Sequence, residues 1–282
     1  MEKGNEVSFA VTVITTLTLL TVSCLPHKND DFAKIPGGEY LVGAEGHSIN
    51  PKRVVTISTF FISKTEVTNK QFDDFVTATH YRTDAEKFHN AEIFYPGLDE
   101  FQWAEDSNAF WRFPNGTKYG GIENKMNHPV TCISFNDALA YCRWAGVRLP
   151  TLDEWEIASR GNKDTKYFWG NEDSIIYQYA NVWKGENHKK AGANEDYTYT
   201  APVKSFPPNE FGLFDIYGNV FEFCSDKPGA FEKEANLAFA RGGSWWCSDN
   251  ACGFFNSVDI GRVIKNASFS NQGFRVVKVS RE

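Results

Sequence analysis

The sequence lacks the short motifs that mark several large enzyme classes. It contains no phosphate-binding Gly-x-x-x-x-Gly-Lys loop, no dinucleotide-binding glycine fingerprint and no Gly-x-Ser-x-Gly nucleophile elbow. Its six histidines show no paired or i,i+4 spacing, which argues against a zinc or non-haem iron centre. Positive charge is also scarce, because 29 Lys and Arg residues stand against 36 Asp and Glu residues. This balance, a formal net charge of −7, argues against a nucleic-acid partner.

Long apolar runs are rare as well, and the one that occurs lies at the N-terminus. Residues 1–23 contain an apolar run from Val7 to Val22, preceded by Lys3. This arrangement predicts a signal peptide. No later segment is long and apolar enough to span a bilayer.

The run ends in a segment, Leu20 to Cys24, that resembles a bacterial lipobox, in which the cysteine is lipidated after cleavage. We therefore expect an exported bacterial lipoprotein on the periplasmic or cell-surface side of a membrane. The lipidated Cys24 and a polar tether, together residues 24–34, would hold the fold to the membrane surface. The alternatives are an uncleaved anchor helix or an ordinary secretory signal, and both also export the domain.

The remaining residues, 35–282, are predicted to form one loop-rich domain. Hydrophobic residues make up 41% of the chain and aromatic residues 15%, which suffices for a sizeable core. β-Branched and aromatic residues flanked by turn residues predict strands at 36–43 and 54–63. Other long stretches show little periodicity, and no repeat or Pro/Ser linker divides them. The fold class predicted is a single α+β domain with little regular secondary structure.

Three short helices are predicted from their capping residues. Thr68 opens a Thr-x-x-Gln capping box and starts the first helix. Ser134 starts a second helix that stops at Gly146, and Thr151 starts a third that stops at Gly161. Helices of about ten residues are marginal alone, so these must be held by packing.

Two of the six cysteines, Cys247 and Cys252, lie five positions apart behind a Gly-Gly-Ser turn. Two thiolates brought together form a soft site that selects Cu(I) over hard cations, and they can also cycle through a disulfide. The alternative is a structural disulfide in an oxidising compartment. Three further cysteines, Cys132, Cys142 and Cys224, are interpreted as thiols that form no disulfide.

A second candidate site lies at residues 215–222, where carboxylates stand at both ends of a glycine-containing loop. The side chains of Asp215 and Glu222 can close over a hard cation while the carbonyls of Gly218 and Val220 turn inward. Such an all-oxygen shell is the one that Ca²⁺ prefers. A solvated loop without a metal is the alternative.

A series of short motifs runs through almost the whole exported chain. They include Ile35-Pro36-Gly37-Gly38, Thr65-Glu66-Val67-Thr68-Asn69, Tyr81-Arg82-Thr83, Trp111-Arg112, His128-Pro129-Val130, Arg148-Leu149-Pro150-Thr151, Gly218-Asn219-Val220, Arg241-Gly242-Gly243-Ser244-Trp245 and Gly273-Phe274-Arg275. In this order they resemble the formylglycine-generating enzyme, or sulfatase-modifying factor, family. The resemblance implies that family's C-type-lectin-like fold. Because non-catalytic relatives share the fold, the resemblance does not by itself establish activity.

The resemblance also implies a chemistry for the cysteine pair. Cys247 and Cys252 would bind Cu(I), activate dioxygen and oxidise a substrate cysteine to formylglycine, with Ser244 supporting the pocket. Trp111 and Arg112 would bind the substrate, a sulfatase or other protein with a Cys-x-Pro-x-Arg motif.

Two departures from the family bear on substrate recognition. Ser248 stands where the enzymes usually carry His, and residues 253–256 replace an aromatic and Arg-rich segment. The alternative function is a non-catalytic, lipid-anchored scaffold of a surface secretion or motility assembly, with Cys247 and Cys252 joined as a disulfide.

Finally, the resemblance implies two structural calcium ions. The first would occupy the loop at 215–222. The ligands implied for the second are Asn181, the carbonyls of Val182 and Tyr197, and an acid at Glu195 or Asp196.

Overall fold

The computed structural model describes residues 29–185, 187–189, 197–225, 236–248 and 251–279. The predicted signal peptide and lipidation site at Cys24 lie outside these residues. Glu195 and Asp196 of the second calcium prediction also lie outside them. Among the described residues, no helix is long and apolar enough to cross a membrane.

Each of the four α-helices in the described ranges begins at a complete capping box, in which the cap side chain and the side chain three residues later each accept a backbone N–H. The three predicted helices are confirmed, with left-handed glycines at the two predicted stops. One further short helix was not predicted, although its Thr-x-x-Glu box is the same signal. The helices are α1 (Asn69–Thr79), α2 (Asp84–Phe88), α3 (Phe135–Ala145) and α4 (Leu152–Arg160).

The described residues form thirteen short strands. They are β1 (Phe32–Ile35), β2 (Gly38–Val42), β3 (Arg53–Ile57), β4 (Phe60–Ser63), β5 (Ala91–Ile93), β6 (Ala104–Asp106), β7 (Val147–Arg148), β8 (Phe221–Cys224), β9 (Leu237–Arg241), β10 (Gly261–Ile264), β11 (Ser268–Phe269), β12 (Gln272–Gly273) and β13 (Val277–Lys278).

The strands pair into four small sheets. Two sheets have four strands, in the orders β1-β4-β13-β7 and β10-β9-β8-β12, one has the order β11-β5-β6, and β2 pairs with β3 alone. All pairings are antiparallel except β5 with β11 and β8 with β12. In the sheet that leads to the cysteines, Glu222 on β8 lies opposite Arg241 on β9. The α+β, loop-rich fold class is therefore confirmed.

The start of the ordered fold differs from the prediction. Residues 32–34 were assigned to the tether, but Phe32 and Ala33 are buried, and β1 pairs along its length with β4. Burial of these apolar side chains outweighs the polar residues that precede them. The predicted strand at 54–63 is also two strands, because β3 pairs with β2 while β4 joins a different sheet.

The core consists of two large clusters of buried side chains and two smaller ones. One large cluster surrounds Trp155 and Tyr217 and includes Cys247. The other packs α1 against α3 around Phe72 and Tyr141. A smaller cluster of Phe94, Trp183, Trp245, Trp246 and Ala251 adjoins the cysteine segment. The cysteines therefore lie where two clusters meet.

Candidate active site

Two glycines after β9 turn the chain toward the first cysteine. Gly242 and Gly243 have φ values of 91° and 70°, in the left-handed region that favours glycine. A Cβ at Gly243 would lie 2.9 Å from the backbone nitrogen of Phe255, and one at Gly242 would lie 2.9 Å from the carbonyl oxygen of Ile216. Both positions therefore require glycine, and the pair lets the cysteine segment pack closely against its neighbours.

Cys247 and Cys252 are joined by a disulfide, and their Cα atoms are 4.9 Å apart. Cys247 is fully buried, whereas Cys252 is partly exposed. The backbone N–H groups of Ala251 and Gly253 both donate to the carbonyl of Ser248, at 3.2 and 3.4 Å, which closes the turn between the two cysteines. The structure thus brings the two candidate catalytic residues together in their oxidised form. Copper binding by the reduced pair stays a prediction.

Ser244 lies against the first cysteine, with its hydroxyl oxygen 3.8 Å from the Cys247 sulfur. That oxygen accepts from the backbone N–H of Trp246 at 3.3 Å and from the side-chain amide of Asn271 at 3.0 Å. Because two donors occupy its acceptor positions, its own hydrogen is left for the Cys247 sulfur. Such a hydrogen bond would stabilise a thiolate at Cys247 once the disulfide is reduced.

Asn271 is a site residue that the sequence analysis missed. It is buried and donates to Ser244 from 27 positions away, between β11 and β12. Its amide oxygen has no hydrogen-bond partner among the described residues. An unpartnered buried acceptor is costly unless a ligand or water satisfies it. The residues just before Gly273 were the available signal, but they form no motif of their own.

Aromatic side chains form one wall of the site. Phe94 contacts Trp183, Trp245 and Trp246 with ring centroids 5.7 to 6.2 Å apart. Cys252 packs against the same cluster. This wall excludes water from the buried side of the disulfide, which strengthens electrostatic interactions near the sulfurs.

The two predicted substrate-binding residues lie in a different cluster. Trp111 is 0% exposed and packs edge-on against Phe72 of α1, with centroids 5.4 Å apart. Arg112 lies over the Trp111 ring at 4.2 Å and pairs with Asp73 at 2.7 Å. Because Trp111 is fully enclosed, it has no surface that a substrate could contact. Of this pair, only the half-exposed Arg112 guanidinium could contact a substrate directly. Substrate binding by Arg112 stays a prediction.

The carboxylates of the first predicted calcium loop already have protein partners. Both oxygens of Glu222 accept from Arg275, at 2.6 and 2.7 Å, and one also accepts from the Trp155 indole at 2.6 Å. The two oxygens of Asp215 accept backbone N–H groups of Lys204 and Phe206, at 2.5 and 3.3 Å. A calcium ion bound here would have to share these oxygens with the present donors.

More carboxyl groups than cationic groups lie beside this loop. Glu66 is buried, and one of its carboxylate oxygens has no hydrogen-bond partner among the described residues. Burial, with the nearby Asp215 carboxylate, raises the pKa of Glu66 well above its usual value. Burial likewise raises the pKa of Asp215 to about 6. Three carboxylates, counting Glu222, therefore surround the single guanidinium of Arg275, and a cation fits this imbalance.

The two predicted calcium loops meet each other. Asn181 forms a bridge with Gly218, and the N–H of Asn219 donates to the Asn181 carbonyl at 2.8 Å. The Asn181 side-chain amide donates to the Tyr199 carbonyl at 2.8 Å. Val182 is buried beside Asn181, whereas Tyr197 is partly exposed. Calcium binding at either loop would therefore affect the position of the other loop.

The fold and the site together define a loop-rich α+β protein with a disulfide between a buried and a partly exposed cysteine. The chain belongs to the sulfatase-modifying factor family, because the family model described as "Sulfatase-modifying factor enzyme 1-like domain" matches residues 21–280. The resemblance drawn from the motifs is thereby confirmed.

Some relatives of this chain are named as formylglycine-generating enzymes, and others are named as an inactive form of that enzyme. The formylglycine-generating enzyme of Streptomyces coelicolor is 35% identical, over 89% of this chain and 90% of that protein. The formylglycine-generating enzyme of Mus musculus is also 35% identical, over 86% and 73%. The protein of Bos taurus named inactive C-alpha-formylglycine-generating enzyme 2 is 35% identical, over 93% and 94%. Overall identity therefore does not separate the active from the inactive relatives.

Solved structures show the same fold at lower sequence identity. PvdO from Pseudomonas aeruginosa superposes with a TM-score of 0.65 at 22% identity, covering 87% of this chain and 93% of that one. Treponema denticola variable protein 1 superposes with a TM-score of 0.60 at 20% identity, covering 88% and 94%. These two similarities concern the fold alone.

Proposed function

We propose that this protein is a copper-dependent oxidase that converts a cysteine of a substrate protein to formylglycine. The observation that carries the proposal is the pairing of Cys247 with Cys252 beside the Ser244 hydroxyl. It occurs in a chain that is 35% identical to a formylglycine-generating enzyme over nearly its whole length. The substrate proposed is a sulfatase or another protein with a Cys-x-Pro-x-Arg motif.

The electron balance of this reaction requires a thiol reductant. Converting a –CH₂SH side chain and water to an aldehyde and H₂S releases two electrons and two protons. Reducing dioxygen to two molecules of water takes four electrons and four protons. Two external thiols supply the remaining two electrons and become a disulfide. A cysteine pair that cycles between dithiol and disulfide carries electrons in the same unit of two.

The residues of the site fit a copper(I) ion. The sulfurs of Cys247 and Cys252 in the reduced pair are soft donors, and they would hold Cu(I) in preference to hard cations. When bound, the ion supplies the activation of dioxygen. Ser244 would donate its hydroxyl hydrogen to the Cys247 sulfur, and the aromatic wall would keep water from the buried side.

Structural calcium is a further part of the proposal. The excess of buried carboxylates over guanidinium groups at Glu66, Asp215, Glu222 and Arg275 supports a cation near residues 215–222. Calcium that binds only the folded state raises the melting temperature. A chelator should therefore lower the melting temperature and the protease resistance, and unchanged values in a chelator would contradict bound calcium.

The export proposal rests on Cys24, and it is tested separately. We expect the full chain to incorporate labelled palmitate and to fractionate with membranes, whereas Cys24→Ala should do neither. Equal labelling of the variant would show that the lipobox resemblance is misleading.

The oxidase proposal is tested by the product of the reaction. The purified protein is incubated with Cu(I), oxygen, a thiol reductant and a sulfatase peptide containing Cys-x-Pro-x-Arg. Mass spectrometry should detect the aldehyde with the wild-type protein and not with Cys247→Ser. Absence of aldehyde from the wild type, or equal product from the variant, would overturn the proposal.

The second candidate is a non-catalytic scaffold of a surface secretion or motility assembly. The named inactive relative, at 35% identity over 93% of this chain, is the observation that favours it. A scaffold is expected to keep Cys247 and Cys252 oxidised under mild reductant and to bind no copper. Stoichiometric Cu(I) binding by the reduced pair would instead favour the oxidase.

A further inference from the structure

His188 is a fully buried histidine whose two ring nitrogens both face oxygen acceptors. Its Nε2 lies 2.6 Å from the carbonyl oxygen of Trp246, and its Nδ1 lies 2.5 Å from a carboxylate oxygen of Glu100. A neutral imidazole carries one N–H and can donate to only one of them. Because a carbonyl oxygen can only accept, the contact with Trp246 requires the hydrogen on Nε2.

Aromatic rings hold the His188 ring in place. Trp246 stacks on it with centroids 4.2 Å apart and planes 15° apart, and Trp183 lies 4.6 Å away at 33°. Phe94 meets its edge at 5.5 Å. Stacked and edge-on contacts between aromatic rings are favourable. The His188 ring therefore has both hydrogen-bond and stacking partners, and rotation of the ring would break all of these contacts.

Glu100 links His188 to a neighbouring loop. One of its carboxylate oxygens accepts the backbone N–H of His188 at 2.9 Å, while the other faces Nδ1. Gly97 of the same loop donates its N–H to the His188 carbonyl at 3.3 Å. Lys189 and Asp99 form an exposed ion pair at 2.6 Å between the same two segments. Among the described residues, Glu100 is the charged group that contacts the His188 ring.

This segment fixes the peptide groups on both sides of Cys247. His188 binds the Trp246 carbonyl, which belongs to the peptide entering Cys247. The backbone N–H of Trp183 donates to the Cys247 carbonyl, in the peptide leaving it, at 2.8 Å. The Trp183 indole in turn donates to the carbonyl of Asn187 at 3.1 Å. Two residues of one short segment therefore hold both peptides of this cysteine.

We propose that His188, oriented by Glu100, is a positioning residue for the cysteine pair. By holding the Trp246 carbonyl it keeps Cys247 where it bonds to Cys252, and so it shifts the thiol–disulfide equilibrium toward the disulfide. This redox effect does not depend on the oxidase activity. Only its consequence for turnover rests on the proposed function.

The test measures the disulfide itself in the full chain. Wild-type protein, His188→Gln, Glu100→Gln and the control Lys189→Gln are equilibrated in glutathione buffers without metal. Alkylation and mass spectrometry then give the fraction of Cys247 bonded to Cys252.

We expect His188→Gln to lower the disulfide formation constant roughly tenfold, which corresponds to about 30 mV. Glu100→Gln should lower it roughly threefold, because the carboxylate charge is lost while an acceptor remains. Lys189→Gln breaks an exposed ion pair between the same segments. It should leave the disulfide formation constant unchanged within about twofold. A constant for His188→Gln equal to that of the wild type would overturn the proposal.

A second measurement uses the wild-type protein in case the histidine variant does not fold. The ¹⁵N chemical shifts of the His188 ring should show that Nε2 carries a hydrogen, because its partner is a carbonyl oxygen. A ring whose Nε2 carries no hydrogen would overturn the proposal. If peptide oxidation is observed, His188→Gln should lower kcat and leave the peptide KM near its wild-type value. A protein that oxidises no peptide but shows the redox shift would refute the oxidase and keep the positioning role.

Discussion

The starts of helices α1 and α3 are fixed by capping hydrogen bonds between residues close in sequence, whereas the cysteine wall, which comprises residues 241–248 and 251–255, depends on contacts between distant residues. Thr68 and Ser134 each bond to a residue three positions away. In the cysteine wall, Ser244 bonds across 27 positions and Trp246 across 58. A single lost cap should therefore cost little and act locally. A lost contact in the wall should alter the environment of the disulfide.

The strongest way to sharpen this comparison is to remove a cysteine from each part. Cys247→Ser should lower aldehyde formation by roughly a thousandfold or more, because the proposed site then lacks one of its two sulfurs. Cys142 lies buried on α3, and Cys142→Ala should retain activity and lose roughly 1 kcal/mol of stability. Peptide turnover and chemical denaturation of both variants provide the measurement. Comparable activity losses in the two would remove the distinction between the parts.

The next largest effect is expected from the ion pair that underlies the cysteine wall. Arg275 and Glu222 are fully buried, and Glu222 also accepts from Trp155, whose ring packs beneath Gly242. Arg275→Met would leave Glu222 buried without its cation, which costs roughly 3–5 kcal/mol in the free energy of unfolding.

The matched control for this pair is Arg148, which binds Glu154 through two hydrogen bonds of 2.6 Å at the start of α4. The Arg148 side chain is 39% exposed, so water reaches the position of the lost guanidinium, and Glu154 keeps the Thr151 N–H as a donor. Arg148→Met should cost about 1 kcal/mol or less. Urea denaturation of both variants gives the comparison, and equal costs would contradict the claim that burial sets the difference.

The helical part and the cysteine wall are also expected to differ in how their stability depends on pH. Asp137 at the start of α3 accepts from the Ser134 N–H at 2.8 Å and the Tyr81 hydroxyl at 2.9 Å. Burial nevertheless raises its pKa to about 6, from an ordinary value of 3.8. The folded state then binds more protons than the unfolded state between about pH 4 and 6.

This difference in bound protons determines whether the free energy of unfolding rises or falls with pH. The contribution of Asp137 to the free energy of unfolding should fall by roughly 1–3 kcal/mol as pH rises through this window, and it should level off above about pH 6. The bonded cysteines do not titrate, so the disulfide contributes nothing to the slope. Glu66 and Asp215 shift in the same direction, and the Asp137 carboxyl must therefore be followed individually by ¹³C NMR. A midpoint near 4 for that signal would refute the prediction.

The same contrast explains what the sequence could reveal about the fold. The starts of α1, α3 and α4 were predicted because a capping box is written within four consecutive residues. The strand at 54–63 was misjudged because its division into two strands depends on partners elsewhere in the chain. Residues 32–34 were assigned to the tether because their polar neighbours concealed a strand that pairs with β4. Local signals were sufficient for helices and insufficient for sheet partners.

The candidate site likewise contains residues with a local sequence signal and residues without one. Cys247 and Cys252 were predicted because five positions separate them. Asn271, His188 and Glu100 carry no motif, and their relation to the cysteines arises only when distant loops pack together. Single-sequence reasoning finds such residues only where a known family supplies their positions.

The smallest expected effect comes from a cap in the helical part. Thr68→Ala removes the hydroxyl that accepts the Gln71 N–H at 3.3 Å and should cost about 1 kcal/mol of stability. Thr68→Ser restores an acceptor and should recover most of that loss. Because the cap acts on α1 alone, the disulfide formation constant should match that of the wild type in both variants. Denaturation and the alkylation assay check the two expectations together. A shift in the disulfide constant for Thr68→Ala would mean that the two parts are energetically coupled, since α1 makes its contacts in a different cluster from the cysteines.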